Sequence, residues 1–115
     1  MKNFNGEIEY KGKTYKLVFN LNVMEQIQDE YGSFEAWGKL TDDTKGEPNV
    51  KAVKFGFTAM LNEGIEIENE ENGTDYKPLT KNFVGRMLTE VGLEVMAKQM
   101  MNTVIESTKS DEKNV

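Results

Sequence analysis

The sequence predicts an α+β fold, in which an N-terminal β-hairpin packs on a small, mainly α-helical domain of four to five helices. Apolar residues alternate with polar ones over residues 6–19, which is typical of strands. Beyond residue 22 they recur at steps of three and four, which is typical of amphipathic helices. A chain of 115 residues suits one domain. We therefore expect one domain over residues 1–109 and a polar, flexible tail at 110–115.

The predicted hairpin covers residues 6–19. Its first strand alternates Ile8 and Tyr10 with glutamates, and its second strand places Tyr15 and Leu17 on one side. Gly12 lies between the strands and can take the positive φ that a tight turn requires. Because an isolated hairpin is marginally stable in water, its apolar face must pack on the helices.

Five helices are predicted from apolar periodicity and end signals. Side-chain caps are expected at Asn22, which has Glu25 three residues later, and at Ser33 and Thr80. Pro48 suits the first turn of the third helix. Glycines are expected to end the first, third and fourth helices, at Gly32, Gly64 and Gly92. The predicted helices span about residues 22–31, 34–40, 49–63, 81–91 and 93–107.

The middle of the chain carries two further signals. Residues 63–75 contain six acidic residues and no basic ones, with Ile65 and Ile67 alternating between glutamates. This pattern predicts an exposed loop with room for a short strand, and Asn72 followed by Gly73 indicates a turn. Gly56 weakens its helix by about 1 kcal/mol relative to Ala, and we expect it to admit another backbone segment.

Composition excludes several classes of chemistry. The chain has neither Cys nor His, which rules out disulfides, zinc sites built on thiolate or imidazole, and Ser-His-Asp or Cys-His catalysis. A net charge of -6 disfavours binding to nucleic acids and to anionic membranes. The N-terminus lacks the apolar run of a signal peptide, so we expect a cytoplasmic protein.

Carboxylate pairs at Glu66/Glu68 and Glu70/Glu71 could in principle bind a cation or act in catalysis. They lie in a polar stretch with nothing apolar to desolvate them, so solvated side chains are the favoured interpretation. No glycine-rich phosphate loop is present. We therefore predict a non-enzymatic protein with no catalytic residue, cofactor or metal.

Large apolar side chains supply the candidate contacts with a partner protein. Trp37, Met96 and Met100 suit either the core of the domain or an interface. Met101 is displaced by about 100° from Met100 around the helix, so the two cannot share a narrow seam. With Val95, Ala97 and Ile105, this apolar arc is wider than a small core needs. The candidate partner-binding residues are Phe34, Trp37, Met96, Met100 and Met101.

Two parts of the chain resemble a known family. The run from Tyr15 to Trp37, YKLVFNLNVMEQIQDEYGSFEAW, resembles the opening of tail assembly chaperones from siphophages and prophages of low-GC Gram-positive bacteria. Residues 59–71, AMLNEGIEIENEE, and the pattern LTxxxVGR at 79–86 are similar to the middle of those proteins. Members of the family are also similar in length and have an N-terminal hairpin followed by helices.

The resemblance implies a function in virus assembly. Such chaperones coat the apolar tape measure protein, recruit tail tube subunits and are absent from the mature virion. It implies binding to both of those proteins in the bacterial host cytoplasm, and self-association is expected because many weak contacts act in series. Two alternatives remain: a phage structural or connector protein retained in the virion, and an acidic regulator or DNA mimic that binds a host protein.

Overall fold

An antiparallel hairpin followed by five helices makes up the part of the chain that the computed structural model describes, residues 5–42 and 44–113. This arrangement confirms the predicted α+β class and the order of its elements. None of the helices described is both long and apolar enough to cross a membrane. The elements are β1 (Asn5–Tyr10), β2 (Lys13–Val18), α1 (Leu21–Tyr31), α2 (Phe34–Thr41), α3 (Val50–Asn72), α4 (Lys81–Val91) and α5 (Leu93–Lys113).

A two-residue turn sets the register of the hairpin. Tyr10 pairs with Lys13, and the intervening Lys11 and Gly12 both have positive φ, 51° and 76°. Two consecutive positive φ values are the signature of a type I′ turn, whose twist matches that of the flanking strands. The register places Ile8 and Tyr10 on the buried face, together with Leu17 of β2.

The core draws on the hairpin and all five helices, and Trp37 of α2 lies at its centre. The indole is fully buried and its Nε1 donates a 2.9 Å hydrogen bond to the carbonyl of Ala52 in α3. Gly56 lies one turn further along α3, directly against the indole ring and the sulfur of Met100. The expectation that Gly56 admits another backbone segment is therefore wrong, because side chains fill the space.

The first helix begins earlier than predicted. Asn20, not Asn22, caps α1, with its Oδ1 accepting a hydrogen bond from the backbone N–H of Val23. The side-chain amides of Asn20 and Asn22 both donate hydrogen bonds to the buried carboxylate of Glu63 in α3, over 2.7 and 3.1 Å. The capping prediction failed because Asn22 is engaged by a residue 41 positions away, which local spacing does not reveal.

The third helix is the largest departure from the predicted elements. It begins at Val50 after the cap Asn49 and continues through Gly64 to Asn72, so the predicted end at 63 and the strand are wrong. Of the loop predicted at 63–75, only residues 73–75 are irregular, beginning at the predicted Asn72–Gly73 turn. Glu is a good helix former, and Gly73, with φ 66°, provides the actual end. A Cβ at Gly64 would lie 3.0 Å from the carbonyl oxygen of Lys16 in β2. The glycine thus allows α3 to pass close to the hairpin, as Gly56 was expected to do.

Other ends agree with the sequence or differ by a few residues. Ser33 and Thr80 cap α2 and α4, and Gly32 and Gly92 follow α1 and α4, as predicted. The predicted helix at 49–63 extends to residue 72, and Pro48 lies just before the cap of α3 rather than in its first turn. The last helix continues to Lys113, beyond its predicted end at about 107, and the flexibility of residues 110–115 stays a prediction. Residues 114–115 lie outside the described residues.

Gly56→Ala tests the packing at the centre of the core. The added methyl group would meet the indole ring of Trp37 and lie 2.9 Å from the Met100 sulfur, so we expect a loss of about 1–3 kcal/mol in the free energy of unfolding. Gly85→Ala in α4 is the matched control, because the nearest atom is an ordinary 3.5 Å away on the Lys54 side chain. That variant should gain about 0.5–1 kcal/mol. Urea denaturation measures both, and two changes of the same sign would contradict the packing described.

Candidate protein-binding groove

An open groove of about 700 Å³ runs between α2 and α5. One wall is formed by residues of α2 that lie about one helical turn apart. The other wall is formed by α5, through the pair Ala97 and Lys98 and, one turn later, the pair Met101 and Asn102. The lining residues are Phe34, Glu35, Gly38, Lys39, Thr41, Asp42, Ala97, Lys98, Met101 and Asn102.

The wall on α2 follows from how that short helix is anchored. Ser33 caps its N-terminus by accepting a hydrogen bond from Ala36, and Trp37 points into the core. With Trp37 turned inward, Phe34, Gly38 and Thr41 face α5 from positions separated by three or four residues. Gly38 carries no side chain, and a Cβ there would meet nothing within 4 Å, so the groove remains open at this point.

The wall on α5 lies one residue away from the buried stripe of the same helix. Met96 and Met100 are fully buried, whereas Met101 is half-buried and lines the groove. The buried Thr41 hydroxyl donates to the Gly38 carbonyl over 3.1 Å and lies 3.8 Å from the Met101 sulfur. This contact joins the two walls at the floor of the groove, which is therefore formed by weakly polar and apolar groups.

Charged side chains of both signs surround this floor. Lys39 and Glu35 form an exposed pair 3.7 Å apart on α2, and Lys98 contributes a second positive charge from α5. The Asp42 carboxylate accepts hydrogen bonds from the backbone N–H and the hydroxyl of Thr44. Both bonds stabilise the charged form and lower the pKa of Asp42, the backbone bond more strongly. Asp42 therefore remains negative at neutral pH, and the rim can orient a charged partner without favouring one sign.

The structure divides the five candidate partner-binding residues into two groups. Phe34 and Met101 line the groove, whereas Trp37, Met96 and Met100 are fully buried and cannot touch a partner unless the domain opens. Of the two interpretations left open for these three side chains, the structure shows the core.

The apolar arc on α5 does extend beyond the core. Val95 and Ile105 are 51% and 50% exposed, so the expectation that this arc is wider than the core needs is confirmed. Ala97, which belongs to the predicted arc, lines the groove, whereas Gly38 and Thr41 escaped the sequence analysis. Small residues in a helix carry no local signal of a groove, because a groove depends on what the neighbouring helix leaves empty.

The acidic half of α3 lines a smaller and more polar concavity, of about 340 Å³, together with β2. Glu66, Glu70 and Glu71 are exposed, while Glu63 is held by two asparagine amides. Within residues 5–42 and 44–113, no three acidic side chains come together in a way that could hold a metal ion. The arrangement is consistent with solvated carboxylates on one end of a helix.

Comparison of the chain with protein families, with curated proteins and with solved structures gave no match. Interpretation of the groove therefore depends on its own chemistry. A half-buried aromatic ring and a flexible thioether beside small residues suit contact with apolar side chains of another protein.

The adjacent methionines provide a test of how α5 is oriented. Met100→Ala should cost about 2–5 kcal/mol of unfolding free energy, because it leaves a cavity beside Trp37. Met101→Ala, the matched control, removes a side chain that is already partly in water and should cost less than about 1 kcal/mol. Chemical denaturation of both variants measures the difference. Equal losses would mean that Met101 belongs to the core and that the groove is not open.

Proposed function

We propose that the chain is a phage tail assembly chaperone that binds the tape measure protein through the groove between α2 and α5. One observation supports this most directly: a small acidic domain with a complete core of its own still exposes an apolar groove lined by Phe34 and Met101. The resemblance of residues 15–37, 59–71 and 79–86 to that family supplies the identity of the client.

The shape of the surface supports binding of an apolar helix. Val95, Lys98, Asn102 and Ile105 follow one another at steps of three and four along α5, beside the groove. A client helix lying between α2 and α5 would contact Phe34 and Met101 and cover part of the exposed Val95 and Ile105. Thioether side chains adapt to different neighbours, which suits a long client whose sequence varies along its length.

The charge of the protein supports a role as a soluble coat. With a net charge of -6, neighbouring copies on one client repel each other enough to stay in solution while each copy contributes a weak contact. In this proposal the protein acts in the host cytoplasm, recruits tail tube subunits to the coated client and leaves before the virion is complete. Many weak contacts in series also allow self-association at high concentration.

Co-expression with the tape measure protein tests the proposal. The wild-type chain should increase the soluble fraction of the tape measure protein several-fold, and Met101→Lys should abolish most of that gain by placing a charge on the floor of the groove. Leu21→Lys is the matched control: Leu21 is 68% exposed on α1, away from the groove lining, so this variant should protect the client as well as wild type does. The soluble fraction is measured by centrifugation and gel densitometry.

Two outcomes would contradict the proposal. A tape measure protein that is equally insoluble with and without the chain removes its main support. If Met101→Lys and Leu21→Lys lowered the soluble fraction of the tape measure protein equally, the function would not depend on the groove. Mass spectrometry of purified virions distinguishes the retained structural protein, which should be present, from a chaperone, which should be missing.

A further inference from the structure

Among the residues that the structure describes, no other element covers the outer edge of β1. A sheet of two strands has one outer edge on each strand. The outer edge of β2 faces α3, where a Cβ built on Gly64 would lie 3.0 Å from the Lys16 carbonyl oxygen. The outer edge of β1 is on the opposite side of the sheet, and its backbone groups need a partner or water.

The register identifies which groups lie on that edge. Tyr10 and Lys13 close the two-residue turn as a hydrogen-bonded pair, and in an antiparallel ladder such pairs alternate with non-hydrogen-bonded ones. Ile8 therefore bonds to Tyr15 across the hairpin. Glu7 and Glu9 fall between these pairs, so the N–H and C=O groups of both residues point away from β2.

The last helix lies beneath β1 and leaves this edge open. A Cβ built on Gly6 would run into the Thr103 hydroxyl, which places α5 on the inner face of the sheet, at right angles to the edge. Within residues 5–42 and 44–113, no hydrogen bond from another element reaches the backbone of Glu7 or Glu9. A small cleft of about 140 Å³, lined by Gly6, Glu7 and Asn102 among others, lies next to the edge.

The side chains beside the edge determine what can pair with it. Glu7 and Glu9 are both exposed on the outer face of the hairpin, two residues apart. A second copy of β1 added antiparallel would set glutamates beside glutamates, which is destabilising. Across the hairpin, Glu7 lies opposite Lys16 and Glu9 lies opposite the uncharged Thr14. On the open side of β1 the two carboxylates are the neighbouring side chains, so a strand with Lys or Arg at alternate positions would form favourable cross-strand pairs with them.

We propose that the β1 edge binds an extended, basic segment of a partner protein, which adds a third strand to the hairpin. Glu7 and Glu9 would each exchange two backbone hydrogen bonds with the incoming strand, and their carboxylates would select Lys or Arg at the residues opposite. The residues between those basic positions would turn toward the uncharged Asn102 and Gln99 of α5. The site shares only Asn102 with the α2–α5 groove, and the backbone groups of Glu7 and Glu9 that would form the new strand pairing are not part of that groove. It can therefore be tested independently of the proposed client.

Hydrogen exchange by NMR on the full chain tests the site, with capped six-residue peptides as probes. In the free protein, the amides of Glu7 and Glu9 should exchange fast and that of Ile8 slowly. Saturating peptide of alternating Lys and Thr should slow the exchange of the Glu7 and Glu9 amides about tenfold or more. The same peptide N-methylated at its Lys residues should have no effect, because it cannot donate the backbone bonds.

A charge swap provides the matched control. The peptide of alternating Glu and Thr should bind wild type about tenfold or more weakly than the Lys peptide, and the double variant Glu7→Lys/Glu9→Lys should reverse this preference. Both positions are exposed, so the variant should fold normally. The proposal is wrong if the Glu7 and Glu9 amides are already as protected as Ile8 in the free protein, or if the two peptides act alike. Protection that appears with rising protein concentration alone would assign the edge to a second copy.

Discussion

The position of α2 depends on the packing of its side chain Trp37 against α3 and α5. Its buried indole bonds to the Ala52 carbonyl and occupies the space that the missing side chain of Gly56 leaves on α3, with Met100 of α5 beside it. A helix of eight residues has little stability of its own, so tertiary packing has to hold it in place. One side chain thus fixes α2 relative to both long helices.

The surface available to a partner follows from this burial. Because Trp37, Met96 and Met100 are used to build the core, the residues next to them, Phe34 and Met101, are left at the groove between α2 and α5. Burial also divides the side chains of β1: Ile8 and Tyr10 face the core, whereas Glu7 and Glu9, which alternate with them, face solvent. The domain thus has two surfaces with different chemistry, an apolar groove and a strand edge flanked by the side chains of Glu7 and Glu9.

Sequence reasoning succeeded where a local signal has one structural meaning. Alternation gave the hairpin, and Ser33 and Thr80 marked helix starts because a hydroxyl can accept the hydrogen bond of a free backbone amide. It failed at Gly64, since glycine serves equally to end a helix and to let a neighbouring strand approach, and only the fold shows the Lys16 carbonyl there.

The candidate site was predictable only in part. The 100° offset of Met101 from Met100 correctly indicated an apolar surface beyond the core, but burial of Trp37 and Met96 depends on where α2 and α3 lie. Quenching of fluorescence by acrylamide tests this central arrangement most directly, because Trp37 is the only tryptophan in the chain. The native protein should show a blue-shifted emission that is quenched about tenfold less than free tryptophan, since the indole is removed from solvent. Quenching as efficient as that of the urea-unfolded chain would contradict it.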